Sequence, residues 1–575
     1  MFVDARTLDD GAIIESDICI IGGGVAGITL ALEFGKRGIR TCLLESGGFR
    51  PDRATRDLYR GENIGLAYRF DDGSRSRFLG GSSNCWGGWC RPMDEHDFWK
   101  RDWVPYSGWP FERSELLRFY DRSREVLKLG PNSFDPEFWT GAIGRADVRR
   151  LPFVTGDVVD AISQFSPPLR FGRFYRSDLR TSRHITVFLH ANAVEIETDH
   201  GGLKIEAVKV ATLTGRVARA NAKIFVLAAG GIENARLLLV SNKTQPAGLG
   251  NGNDLVGRFF MDHPQWFLGQ IRFREMWASN RLYDEKYSYH NRAVSAHGTC
   301  VAAQLMLRPS VQARETLLNA QVWFSSTFQG EVSRAADALV RVKRRATQRQ
   351  PPGWSLGRDL RTLAFHPLDT TGLVVSRYFP VRSLVRGCRF HVVVEPVPNP
   401  ESRVTLSERR DQLGMNRVRV RWLLDPLVKR TVDRTCALIA EELARAGVAD
   451  VVLDPAQDRA EPTSFSEEGT WHHIGTTRMH DSPKSGVVDR NGKVHGIENL
   501  YVSGSSIFPT AGANFPTITL VALALRLSDH LANELRHSDA LHIRQHAGER
   551  LKRRHGGTDQ CRKNRSMTAT ACSVS

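Results

Sequence analysis

The first fifty residues alternate β-like and helical apolar patterns. Asp17-Ile18-Cys19-Ile20-Ile21 is a short β-rich run. Ile28, Leu30, Leu32 and Phe34 then follow a helical pattern closed by Gly38, and Thr41-Cys42-Leu43-Leu44 predicts a second strand ending at Glu45. Three further β-like runs, Ile185–His190, Ile205–Leu213 and Lys223–Leu227, lead into Ala228-Ala229-Gly230-Gly231 and a helix carrying Ala235, Leu238 and Leu239. This repeats the strand–glycine–helix order of the N-terminus. Between residues 265 and 460 the pattern predicts strands such as His391–Val394 and Arg417–Trp422, then an amphipathic helix from about Leu427 to Ala446. The chain returns to a strand-and-turn at Leu500-Tyr501-Val502-Ser503-Gly504. A last helix starts near Pro516, with Ile518, Val521, Ala522 and Leu525 on one apolar face.

The first unit carries chemistry. Gly22, Gly24 and Gly27 form G-x-G-x-x-G directly between strand and helix. Gly22 permits the tight turn, Gly24 lets a pyrophosphate approach the backbone, and Gly27 allows close helix–strand packing. The helix N-terminus offers free N–H groups and positive dipole to phosphates. Glu45 lies about 20 residues further on, where an acid binds ribose and repels a 2′-phosphate. Glycines alone signal little, but with strand, helix and acid in order they predict dinucleotide binding.

Composition narrows the class. At 575 residues, with 41% hydrophobic and 25% charged residues, the chain predicts an ordinary globular protein of two domains. The longest apolar stretch, Ile518 to Leu525, falls far short of a membrane helix, so no transmembrane segment is expected. The first fifteen residues carry acids and lack the apolar stretch of a secretion signal, which makes the expected location cytoplasmic. Nine cysteines without paired spacing suit a reducing compartment, and no His/Cys cluster has zinc-like spacing, so no metal is expected. The net charge of +16 is uneven. Arg334–Arg349 carries six basic residues against one acid, and the stretch from Arg536 to the end carries nine against three. The tail reads as disordered. No motif supports a nucleic-acid partner.

Further segments, taken in order, resemble one family. Gly80-Gly81-Ser82-Ser83-Asn84, Ala193-Val194, Val256-Gly257-Arg258 through Asp262-His263-Pro264, Pro398–Val404 and His472–Met479 follow the N-terminal glycines and Glu45. Together they are similar to segments of the glucose–methanol–choline family of FAD-dependent oxidoreductases, with Trp86-Gly87-Gly88 and Ser107-Gly108-Trp109-Pro110 resembling a bacterial branch related to pyranose-oxidising members. The resemblance implies an α/β fold: a Rossmann-like FAD-binding domain, of the glutathione-reductase kind, with a discontinuous α+β substrate domain built on an antiparallel sheet. It assigns residues 1–96, 184–264 and 465–537 to the FAD-binding domain, 97–183 and 265–464 to the substrate domain and connecting segments, and 538–575 to the basic tail.

It also implies FAD as cofactor and oxidation of a CH–OH group of a sugar, glycoside, polyol or other alcohol. The electron acceptor is oxygen, a quinone or a redox protein. A lyase with structural FAD and an electron-transfer subunit are the alternatives on the same scaffold. The implied cofactor residues are Gly22, Gly24, Gly27, Glu45, Gly80, Gly81, Ser83, Asn84, Val194, Ala229, Gly504, Pro516 and Thr517. The helix from Pro516-Thr517 is expected to aim its N-terminal dipole at the flavin. His472 is the expected base, in preference to His473, which points elsewhere in an extended segment. Two departures follow. Where the family usually has His or Asn before the proline, this chain has Phe515, preceded by Asn514. Asn514 is the expected catalytic partner, with Phe515 shaping the site as the alternative. Cys85 stands where some relatives carry a histidine bonded to FAD, leaving a thioether or a packing role open.

Overall fold

The computed structural model describes residues 1–66, 68, 74–167, 169–290, 292, 294–328, 333–345, 354–378, 385–453 and 470–537. Met1–Arg526 forms one compact unit and Leu527–Ser575 a second. The expected disorder of the basic tail, 538–575, lies outside the described residues.

One eight-stranded sheet gathers segments from both ends of the chain. Its order is Phe2–Asp4, Ile185–Leu189, Thr41–Leu44, Ala12–Ile21, Val217–Leu227, Ile205–Ala211 and Asn192–Thr198. The first five run parallel, and the last two are antiparallel. Val217–Leu227 pairs with Ala12–Ile21 along one edge. On its other edge, residues 217–221 take Ile205–Ala211, while Phe225–Leu227 pairs in parallel with Leu500–Val502. Four parallel strands therefore end side by side at Ile21, Leu44, Leu227 and Val502. A crevice at the carboxyl ends of parallel strands is where such sheets bind ligands.

The strand around Ile18 begins earlier than its apolar core suggests, at Ala12. Ile14 and Ser16 are buried while Ile13 and Glu15 are exposed, so this extension has one wet face. Ile18–Ile21 is buried on both faces, as the covered centre of a parallel sheet requires. Cys19 and Cys42 are cross-strand partners in that centre, and both are free thiols.

A second sheet, also of eight strands, is antiparallel. Its order is Ala449–Leu453, Gln265–Phe273, Val385–Val394, Ala320–Phe328, Thr299–Leu307, Val158–Phe165 and Trp89–Cys90, with Ser295–Ala296 beside Thr299–Leu307. The long helix predicted near Leu427–Ala446 spans Pro426–Arg445, with Pro426 in its first turn and the Asp425 carboxylate accepting from Leu427 N–H. It packs on the three central strands through Val428, Val432, Ile439 and Leu443. The opposite face of the sheet carries Trp89, Phe165, Trp323 and Val393, against which Phe515 packs. A small third sheet joins Arg403–Arg410, Asn416–Arg421 and Gly61–Asn63. Arg334–Arg344, in the basic stretch, is a helix whose Arg341 pairs with Asp359 (2.8 Å); residues 346–349 lie outside the described set.

Candidate active site

The glycine turn is held by close contacts. Gly22 has φ +113°, and a Cβ there would lie 2.5 Å from the Ala228 carbonyl oxygen. A Cβ on Gly27 would lie 1.9 Å from the Gly22 carbonyl oxygen, so the helix Val25–Lys36 meets the strand only because residue 27 is glycine. Gly24 caps that helix with no side chain, leaving its first N–H groups open. The Glu45 carboxylate accepts from Gly23 N–H (3.0 Å) and Gly47 N–H (2.8 Å), and burial pushes its pKa up. The second glycine loop leans on the first: Gly80 N–H donates to the Gly23 carbonyl (2.8 Å), and a Cβ on Gly81 would lie 2.9 Å from Gly24 Cα.

A cavity of about 630 Å³ opens here, lined by the ends of all four parallel strands, both glycine loops and the face of the antiparallel sheet that carries Trp323. Arg75 and Arg77 enter its wall as an ion-pair cluster on Glu233 (2.9 and 3.3 Å) and stack on Tyr59. Burial raises the Glu233 pKa, but Arg236, Arg77 and Arg75 outweigh it and hold the carboxyl down at about 2. Seven buried polar atoms on the cavity wall have no hydrogen-bond partner among the described residues: Ser74 Oγ, Arg77 Nε, both ring nitrogens of His391, Trp471 Nε1, His473 Nε2 and Ser503 Oγ. Orphaned groups beside an uncapped helix terminus and a ribose-type acid fit a bound dinucleotide.

His472 lies at the edge of this cavity. The segments Met261–His263 and His472–Ile474 face each other, zipped by reciprocal backbone bonds of 3.0 Å between Met261 and Ile474. His472 Nδ1 is 3.0 Å from His263 Nδ1, and His263 Nε2 is 2.8 Å from the Gly512 carbonyl oxygen. Beneath them the buried Asp262 carboxylate gathers four donors: Tyr68 Oη (2.5 Å), Thr470 Oγ1 (2.6 Å) and the backbone N–H groups of His263 (2.8 Å) and His472 (2.7 Å). Burial raises its pKa to about 6. Burial pushes His263 down to about 4 and His472 well below the ordinary imidazole value, so both rings are neutral near pH 7. Asp262, His263 and His472 lie close enough to share a metal ion. The Asp262 carboxylate is filled by the four donors above, and the two rings bond to each other and to the Gly512 carbonyl.

Residues of the antiparallel sheet line another part of the same cavity. His391 is buried between Trp323 (stacked, centroids 5.3 Å) and Phe267 (edge-on, 4.5 Å), and neither of its ring nitrogens has a partner among the described residues. Burial, then Arg389 and Lys286, push its pKa down to about 3. Gln265, Ser325, Thr327 and Arg389 line the same wall.

Of the residues expected from sequence, Gly22, Gly24, Glu45, Gly81, Ser83, Ala229, His472, Gly504, Pro516 and Thr517 line the cavity. Gly27, Gly80 and Asn84 lie just behind it and shape its loops; Asn84 Nδ2 donates to the Leu79 and Gly81 carbonyls. Val194 is off the wall, where Ala191 and Ala193 stand instead, as the alternation of side chains along a strand requires. Asn514 requires a correction. Its side chain is buried away from the cavity, accepting from Arg91 (2.7 Å) and Gln321 and donating to the Pro92 carbonyl (2.9 Å) and Asp94 (3.1 Å). Phe515 takes the wall position, 4.9 Å from the His472 ring, and His263 is the neighbour of His472. His473 also reaches the cavity, packed on Phe260 and Tyr68. Cys85 lines the cavity as a free thiol. Sequence reasoning missed His263 as a site residue and the whole His391 wall.

A family model described as "FAD dependent oxidoreductase" matches residues 17–246, and one described as "GMC oxidoreductase" matches residues 398–524. The chain is 24% identical over 594 residues to 6'''-hydroxyparomomycin C oxidase of Streptomyces lividus, covering 92% of this chain and 93% of that one. It is 24% identical over 320 residues to the fructose dehydrogenase large subunit of Gluconobacter japonicus, a match spanning 55% of this chain but only 48% of that protein. The fold resembles the crystal structure of pyridoxine 4-oxidase from Mesorbium loti, with a TM-score of 0.51, 17% identity and coverage of 90% and 99%. With the crevice, the two glycine loops and these matches together, the chain belongs to the glucose–methanol–choline family of FAD-dependent oxidoreductases, which oxidise CH–OH groups.

Proposed function

We propose that the enzyme oxidises a CH–OH group of a sugar, glycoside or polyol, with His472 accepting the hydroxyl proton. The observation that carries the substrate class is His391, a neutral imidazole whose two nitrogens have no partner among the described residues, stacked on Trp323 at the cavity wall. An aromatic face packs against the C–H side of a ring, and an amphoteric imidazole with short hydroxyl and amide neighbours reads its hydroxyls. The named activities of the relatives, on fructose and on 6'''-hydroxyparomomycin C, point the same way.

Bound FAD supplies the acceptor for the hydride that leaves the alcohol carbon. The residues around it do the rest. The open N–H groups behind Gly24 and the Glu45 carboxylate hold the dinucleotide, and the helix from Pro516 and Thr517 turns its positive end to the cavity. His472 takes the hydroxyl proton at Nε2 as the carbon gives up hydride, so two electrons and two hydrogens leave and a carbonyl remains. Phe515, Trp89 and Trp323 keep the reacting carbon dry. We also read the enzyme as cytoplasmic. Seven described cysteines are free, six of them buried, and among the described residues no helix is long and apolar enough to cross a membrane.

The test is anaerobic mixing with a panel of sugars and polyols. His472→Ala should retain FAD and lose the bleaching of the 450 nm band by about 10²–10⁴-fold. A variant that keeps FAD and bleaches at the wild-type rate removes His472 from the reaction.

A further inference from the structure

We propose that His263 is a positioning residue that fixes the tautomer of His472, holding the proton on Nδ1 and leaving Nε2 bare toward the alcohol. This rests on the reading of His472 as proton acceptor.

The argument starts at Gly512. Its carbonyl oxygen can only accept, so the His263 nitrogen 2.8 Å away, Nε2, carries hydrogen. The His263 ring is buried with no carboxylate of the described residues within hydrogen-bond distance, and a neutral imidazole has only one N–H. Its Nδ1 is therefore a lone pair. That lone pair faces His472 Nδ1 at 3.0 Å, and the contact is a hydrogen bond only if His472 donates. With the proton on Nδ1, neutral His472 presents an unprotonated Nε2, the atom without a partner among the described residues.

Other groups are committed elsewhere. Asp262 lies alongside, but its two oxygens receive Tyr68, Thr470 and two backbone N–H groups. Asn514, the expected partner, is spent on Arg91, Gln321, Pro92 and Asp94. His263 cannot turn away either. Asp262 holds the backbone N–H of both histidine residues, and the Met261–Ile474 bridge fixes the two segments in register. A cavity-facing imidazole without this partner would populate the Nε2–H form, which has nothing to accept a proton with. The device is a chain of fixed polarity, carbonyl to imidazole to imidazole, ending in a lone pair.

Two readouts test it on the FAD-loaded enzyme. The first needs no substrate: ¹⁵N NMR of imidazole-labelled protein at pH 7.5 should show His472 with protonated Nδ1 and bare Nε2, and His263→Ala should shift His472 toward the Nε2–H form. The second is steady-state kinetics with D-fructose, methyl β-D-glucoside and glycerol as probes. His263→Ala should lower kcat at least tenfold on whichever probe the wild type turns over, with KM within about twofold. His263→Asn, whose side-chain oxygen can accept at the Nδ1 position, should recover most of that loss. A wild-type His472 that carries its proton on Nε2 overturns the proposal, and that measurement stands even where His263→Ala fails to fold. A folded, FAD-bound His263→Ala with unchanged kcat overturns it too, as does His263→Asn behaving no better than His263→Ala. The base reading fails separately, through a His472→Ala variant that still reduces its flavin.

Discussion

At the scale of single residues, the site divides between what a motif announces and what only contact reveals. His472 was legible because it stands at a fixed distance before Gly475-Thr476. His263 was in view as part of Asp262-His263-Pro264, but its partnership spans 209 residues and no local pattern encodes it. Asn514 and Phe515 show the limit of slot-counting: the turn before Pro516 sends the amide into a polar network under Gln321 and leaves the ring in the cavity wall. His391 did leave a signal, a histidine beside Val392-Val393-Val394, yet the run reads as plain strand. Replacing it with Phe preserves the stack on Trp323 and removes both nitrogens. We expect His391→Phe to retain FAD and raise KM for its sugar about tenfold, the worth of one to two hydrogen bonds. An unchanged KM would take His391 out of substrate recognition.

At the scale of elements, the N-terminal strand–turn–helix was readable almost entirely. Its constraints are local: a Cβ on Gly27 would lie 1.9 Å from the Gly22 carbonyl oxygen, and sequence spacing alone places the two together. Gly27→Ala should force helix Val25–Lys36 off the sheet and yield a protein that binds no FAD, checked by its absorbance after purification in excess cofactor. A yellow Gly27→Ala protein of normal stability would contradict that packing. Elements whose alternation is interrupted were less legible. Beside the irregular pairing of Ala193–Glu195, it is Ala193 that faces the cavity, and alternation turns Val194 to the other side. The antiparallel sheet was recognisable in type but not in neighbour order, because its pairings join stretches from 89 to 453 that carry similar apolar patterns.

At the scale of the whole molecule, buried histidines set the acid limit. His263 is held at about 4 and His391 and His473 at about 3 by burial, and His472 lies well below the ordinary value. Partly buried His190 and His480 are lowered as well. The unfolded chain protonates these rings near 6.5 and the folded chain does not, so stability is lost as pH falls through that value. Asp97 and Asp262, raised to about 6 by burial, with Glu45 and Asp284 also raised, act in the opposite sense between about 6 and 4. Six histidines outnumber four acids, and between about 6.5 and 6 the histidines act nearly alone. The Tm of the FAD-loaded enzyme should fall from pH 7.5 to 5.5; a flat or rising Tm would mean the rings are charged in the fold. The interleaved sheet has one more consequence, for biosynthesis. Leu500–Val502 completes the nucleotide crevice laid down by Ala12–Ile21 and Val217–Leu227. A ribosome delivers that closing strand, with the helix after Pro516, only when most of the chain is already outside. The nascent protein must keep an unfinished apolar cleft in solution for most of its synthesis, and it takes up its yellow cofactor late.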